Sequence, residues 1–151
     1  MRKIIFAIKG NHQDPTGNPF PKLKMTGKQS WTPKAQAYVM WKRYVQSELI
    51  KRLRVDDPEL ARDFDRNIIS CGKPIVIDNL EARMDLEISF KNGMHGDPEN
   101  IFGSIADALF FNDKNLYGSF VPLEGRTGGE VWCTITVSDI PVSKSGRRIY
   151  K

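Results

Sequence analysis

The sequence predicts a single α/β (α+β) domain, a mixed β-sheet covered by helices. Three observations predict it. Short runs of alternating or β-branched residues stand near both ends of the chain, which is strand patterning. Longer stretches with helix-start chemistry and an apolar stripe lie between them, so strands and helices must share one core. And 151 residues, 40% hydrophobic and 27% charged, are enough for one soluble domain with a core of its own, spanning 1–151 with no internal repeat.

Each element has its own signature. Residues 2–9 read as a first strand closed by Gly10-Asn11. Residues 10–30 carry the turn chemistry of Asp14-Pro15-Thr16-Gly17-Asn18-Pro19, together with His12, Lys22, Lys24 and Lys28. A loop of this length reads either as a solvated, mobile basic loop or as a clamp on a phosphate backbone. Thr32-Pro33-Lys34 opens a helix, with Thr as cap and Pro in the first turn, running to about Leu53. Tyr38, Trp41, Val45, Glu48 and Leu49 form one of its faces, and Lys34, Lys42, Arg43, Lys51 and Arg52 spread over the others. Asp57-Pro58-Glu59 starts a second, short helix. Lys73 to Ile77 reads as a strand start or an edge. From Ala82 to Phe90, Met84, Leu86, Ile88 and Phe90 face one way and Arg83, Asp85, Glu87 and Ser89 the other.

A third helix begins near Pro98 or Glu99 and ends near Phe111. Its apolar stripe is Ile101, Phe102, Ile105, Ala108 and Leu109, with Asn100, Ser104 and Asp107 near the opposite side. Leu116 to Val121 is a further strand, and residues 130–137 a clear one. Gly128-Gly129 before it marks a tight turn, a candidate hairpin. The tail 143–151 is basic and reads as flexible.

A formal net charge of +5 suits a polyanionic partner. Two distant cysteines, Cys71 and Cys133, make neither a zinc motif nor a disulfide framework, and fit free thiols in a reducing cytoplasm. The apolar run after Met1-Arg2-Lys3 is of strand length, and no run approaches the roughly 20 residues of a membrane span. A cytoplasmic protein without a membrane partner is the expectation.

The chemistry concentrates around His95-Gly96-Asp97-Pro98-Glu99-Asn100 and, past the helix, Asn112-Asp113-Lys114. Neighbouring carboxylates repel, so Asp97 and Glu99 in one pocket favour a cation between them. With Asp113 they offer the hard oxygen ligands that magnesium prefers. The same letters also spell a helix start, with Pro in the first turn and acids placed for capping. Both readings stand. His95 is either a base or an exposed turn residue.

In this order the features resemble the RusA family of Holliday-junction resolvases. The carrying residues are Asp97-x-Glu99-Asn100, then Asp107-Ala108-Leu109 inside the helix, then Asn112-Asp113. Upstream, Pro21-Lys22-Leu23-Lys24 and Thr32-Pro33-Lys34-Ala35 with Tyr38 are also similar. Downstream, Gly128-Gly129 leading into Val131 to Val137 fits. The resemblance implies a RusA-like fold and a homodimeric, magnesium-dependent endonuclease, with manganese as a substitute, that cuts four-way DNA junctions in DNA recombination and repair. It puts the metal-binding, catalytic acids on Asp97, Glu99 and Asp113. Glu99 stands where the family has aspartate, Asn112 replaces an acid, and the family's helix lysine falls on Gly103. Lys114 or Lys91 could supply the missing charge. A glycine inside a helix costs about 1 kcal/mol relative to alanine and wants a local reason, such as close approach of another backbone.

Lys22, Lys24, Lys28, Lys34 and Lys114 are the candidate DNA-binding residues, with Arg147 and Arg148 as further phosphate contacts or merely part of the tail. Such contacts position DNA without reading its sequence. Two other readings compete: a catalytically silent protein that binds branched DNA, and a basic protein whose acids are helix caps and whose partner is another protein.

Overall fold

The computed structural model describes residues 2–23, 32–76, 80–91, 96–113 and 116–141. Lys24, Lys28, His95, Lys114 and the 143–151 tail lie outside these. The order of elements is β1 (Arg2–Lys9), α1 (Pro33–Asp56), α2 (Pro58–Cys71), β2 (Leu80–Ser89), α3 (Pro98–Leu109), β3 (Leu116–Pro122) and β4 (Glu130–Pro141). The strands make one mixed sheet in the order β1-β4-β2-β3, antiparallel except for the parallel β2–β3 pair, and three helices complete an α+β fold.

Period-two patterning sends alternate strand residues to one face. Ile4, Phe6, Ile8, Met84, Leu86, Ile88, Val131, Cys133 and Ile135 are buried there. Against them pack Trp41, Val45 and Leu49 of α1 and Ile101, Ile105, Ala108 and Leu109 of α3. α1 forms because Thr32 Oγ1 accepts from the Ala35 amide at 3.1 Å and Pro33 occupies the first turn. α2 is capped by Asp57 and stopped by Gly72, whose φ of 84° is the left-handed stop that glycine adopts freely. No helix among the described residues is long and apolar enough to cross a membrane. Cys71 and Cys133 are free thiols.

Five expectations change. Ile75 makes only an isolated parallel bridge to Phe110, so the 73–77 stretch forms no strand over its described part, 73–76. The same bridge ends α3 at Leu109. β3 and β4 do not form a hairpin: β3 pairs with β2, and β4 enters the gap between β1 and β2. Gly128-Gly129 instead meets the 14–17 turn, where a Cβ on Gly129 would sit 2.0 Å from the Gly17 carbonyl oxygen. Residues 10–23 are pinned rather than loose. Asn11 Oδ1 accepts from the Gln13 and Asp14 amides, Asn18 Oδ1 accepts from the Lys91 amide at 2.6 Å, and Lys91 pairs with Asp14 at 3.4 Å. Ser104, expected on the polar side of α3, is fully buried.

Candidate nucleic-acid interface and metal-binding acids

α3 starts as its sequence dictates. Asp97 is the N-cap, its carboxylate accepting from the Glu99 amide at 3.0 Å and from Asn100 Nδ2 at 3.2 Å. Capping is therefore real, yet each carboxylate oxygen keeps a free lone pair, and Asp97 and Glu99 are both exposed.

Asp113 is elsewhere. The parallel β2–β3 pairing makes β2-α3-β3 a crossover, so the chain enters α3 beside the end of β2 and leaves it near the start of β3. Twelve helical residues at about 1.5 Å each separate the two ends by about 18 Å. Asp97 and Glu99 share one end of α3, and Asp113 stands beyond the other. Among the described residues no three His, Cys, Asp or Glu side chains are grouped to hold a metal ion. The three-carboxylate magnesium pocket expected from Asp97, Glu99 and Asp113 is thus not assembled by the described residues of one chain.

The centre of the polar architecture is Asp107. Tyr38 Oη donates to its Oδ2 at 2.8 Å, while Lys42 and Lys73 Nζ lie 3.6 and 3.5 Å from its two oxygens. Lys73 also donates to the Asp107 carbonyl, and Lys42 sits 5.1 Å from the centre of the Tyr38 ring. Burial pushes the Asp107 carboxyl up, but the Tyr38 hydroxyl and both ammoniums outweigh it and hold the group below the usual carboxylate range. Burial lowers Lys73, and Asp107 only partly restores it. Tyr38 is raised by burial and by the carboxylate it binds.

Beside this cluster the 18–23 segment is stapled to α3. The Lys22 amide donates to the Asn100 carbonyl at 2.9 Å. Ser104 Oγ donates to the Phe20 carbonyl at 2.6 Å and accepts from Trp41 Nε1 at 3.2 Å, while Phe20 stacks on Trp41 at 5.6 Å. These bonds explain why a serine sits in the core. They also lay the Lys22 stem over Gly103, where a Cβ would come within 3.2 Å of Lys22 Cδ. The glycine that looked out of place in a helix makes room for a lysine stem, not for another backbone.

Phe20, Leu23, Ala37 and Tyr38 floor a groove of about 380 Å³ with Lys22 and Lys34 at its sides. Lys34, Tyr38 and Lys42 recur at four-residue spacing on one face of α1, so the row of lysines continues from Lys34 to Lys42 over about 12 Å and on to Lys73. Lys22 and Lys34 are thus brought together. Lys42 and Lys73 were missed by sequence reasoning; the spacing from Lys34 was the available signal for Lys42, and Lys73 had none. Lys91 is committed to Asp14. No protein-family model matches the chain, and no curated protein matches it in sequence.

Proposed function

We propose that the protein binds branched DNA and cuts its phosphodiester backbone, acting on four-way junctions in recombination and repair. The observation that carries this reading is the groove beside α3, where Lys22 and Lys34 flank an aromatic floor next to the helix that bears Asp97 and Glu99. Lysines on a rigid helix and a stapled loop contact phosphates without reading bases, which suits recognition by shape. The order of the Asp97 to Asp113 block supports the same reading through its resemblance to RusA resolvases. A reducing cytoplasm accords with the two free thiols.

Magnesium is the cofactor this reading calls for. Among the described residues, the separation of Asp113 from Asp97 and Glu99 does not fit a three-acid set within one chain. What the chain's own groups supply is electrostatic. The lysine row draws in phosphates, and the exposed Asp97 and Glu99 repel them, so removing either acid tightens DNA binding. The α3 separation favours a second reading, a silent member of this fold that binds branched DNA without cutting it.

The test is a labelled four-way junction against a linear duplex of equal length, scored for binding and for nicking with magnesium or manganese. Paired nicks that disappear in Asp97→Asn while binding persists support the endonuclease. Junction-selective binding with no nicking in either metal supports the silent reading. Equal, salt-insensitive affinity for both DNAs defeats the two together.

A further inference from the structure

Two cavities meet at the end of the sheet where β1, β2 and β3 finish and β4 begins. The first, about 380 Å³, lies past the ends of β2 and β3 and against the first turn of α3, walled by Phe90, Pro98, Phe120, Pro122 and Leu123. The second, about 390 Å³, is polar and sits between Lys9, Thr16, Trp132 and the 125–129 stretch. Arg126 lines both. Apolar walls with a few placed polar groups, in a volume of about 300–1,000 Å³, are the usual form of a small-ligand site. The crevice beyond the carboxyl ends of parallel strands is a recurrent place for one. Phe120 shares the helix-facing side of the sheet with Leu86, its partner in register, yet it is 41% exposed while Leu86 is buried.

The wall between the cavities is fastened. The Leu123 amide donates to the Ile88 carbonyl at 2.9 Å, and Ser89 Oγ donates to the Gly128 carbonyl at 2.8 Å. Between these ties Arg126 gives its Nε–H to Glu130 at 2.7 Å, which leaves its terminal nitrogens without a partner among the described residues. One donor positions the guanidinium, and the others remain for a ligand.

We infer that the two cavities form one site for a nucleotide unit, its base between the rings of the first and its phosphate on Arg126 and Lys9. Charge sets this orientation. Asp97 and Glu99 flank Pro98 on the α3 wall and repel a phosphate, whereas Arg126 and Lys9 attract it. Glu87 stands opposite Trp132 in register, so the cationic stretch ends there with room for one phosphate. A purely apolar ligand would leave the cations unused, and an acidic peptide would leave the ring slot unfilled. The unit is either a free nucleoside monophosphate or an unpaired nucleotide of a DNA strand. The second source rests on the DNA-binding reading proposed above, and adds to it a means of telling a branch point from a duplex, since a base that has already lost its partner costs least to extract. Slot and lysine groove adjoin the same first turn of α3, where Lys22 bonds to Asn100 and Pro98 lines the slot.

The experiment titrates the full chain, labelled at its Ile, Leu and Val methyls, with deoxyadenosine monophosphate and follows it by NMR. Shifts should concentrate at Ile88, Val121 and Leu123. Deoxyadenosine, lacking the phosphate, should bind about fivefold more weakly, and Arg126→Gln should remove most of that difference, which a merely structural Arg126 would not do. Leu123→Trp plugs the slot and should weaken the nucleotide about fivefold or more; Phe120→Ala should do the same and serves if the first variant does not fold. In parallel, filter binding compares a four-way junction carrying one unpaired adenine at its branch with the fully paired junction. Wild type should prefer the first about fivefold, Leu123→Trp should lose the preference, and Lys22→Ala should weaken both alike. Nucleotide shifts at these methyls with no binding of either junction support the site with a free nucleotide as its source, and defeat the DNA reading instead. Junction binding with no nucleotide shifts at these methyls overturns the inference and leaves that reading standing. Nucleotide binding that survives both Leu123→Trp and Phe120→Ala overturns it too.

Discussion

Ser104→Ala isolates the bond that staples the lysine segment to α3. Ser104 and Trp41 are both fully buried, and the hydroxyl serves the Trp41 indole N–H at 3.2 Å and the Phe20 carbonyl at 2.6 Å. An unmet buried polar group costs about 1–3 kcal/mol. The indole has no route to water and carries that cost in full; the Phe20 carbonyl, nearer the surface, carries less. Alanine's better helix propensity returns a few tenths of a kcal/mol. The net loss is about 2–3 kcal/mol, a fall in Tm of about 5–10 °C for a chain of this size. Thermal and urea unfolding followed by circular dichroism measure it. Repeating the change in a Trp41→Phe background tests the cause, because the indole donor is then absent and Ser104→Ala should cost less than about 1 kcal/mol. Equal losses in the two backgrounds, or a wild-type loss under about 0.5 kcal/mol, would refute the reasoning.

Asp107→Asn should cost about 1–2 kcal/mol at neutral pH, since it removes two half-buried ion pairs and weakens the Tyr38 bond. The Asp107 carboxyl is depressed in the fold, so its contribution is present above the unfolded value of 3.8 and disappears as pH falls through the folded value; wild type and variant should converge in strong acid. The same variant frees Lys42 and Lys73 and should tighten DNA binding in a filter or polarisation assay. His12 packs edge-on to Phe20 with its Nδ1 buried and without a hydrogen-bond partner among the described residues, and burial lowers its pKa below 6.5. Its effect on stability is therefore absent above 6.5 and becomes a loss as pH falls below it; His12→Gln should flatten that decline in pH-dependent melts. Gly129→Ala should destabilise by about 3 kcal/mol or more, because its Cβ meets the Gly17 backbone rather than a side chain that can swing away. Lys22→Ala should lower the salt slope of DNA binding by about one, with little change in Tm.

What was legible in the sequence was local. β1, β2, α1 and α3 announce themselves through period and caps, because a cap bonds to its own first turn and alternation needs only one buried face. The face carrying Met84, Leu86 and Ile88 was readable for the same reason. Ser104 was not. At its position a polar letter means water unless a distant Trp41 and Phe20 converge on it, and that convergence is tertiary. The Gly128-Gly129 pair looked like a hairpin because glycine pairs usually turn chains, whereas here they admit the 14–17 turn. At the candidate site, Asp97 and Glu99 were readable as neighbours, but the distance to Asp113 depends on a parallel crossover that no short-range pattern encodes. Lys73 joins the lysine row only because α2 delivers it to Asp107.

The strand order carries a consequence for assembly. β4 is the last strand in chain order, yet it supplies the hydrogen-bonding partner for both β1 and β2. Until it arrives β1 has no neighbour, and the β2–β3 pair is the only part of the sheet able to form. Closing the sheet joins residues more than a hundred positions apart, the kind of non-local contact that slows folding. During synthesis β1 and β2 each keep a bare edge until β4 is made, an arrangement open to aggregation. A chain cut before Glu130 should therefore fail as a whole rather than lose a single strand.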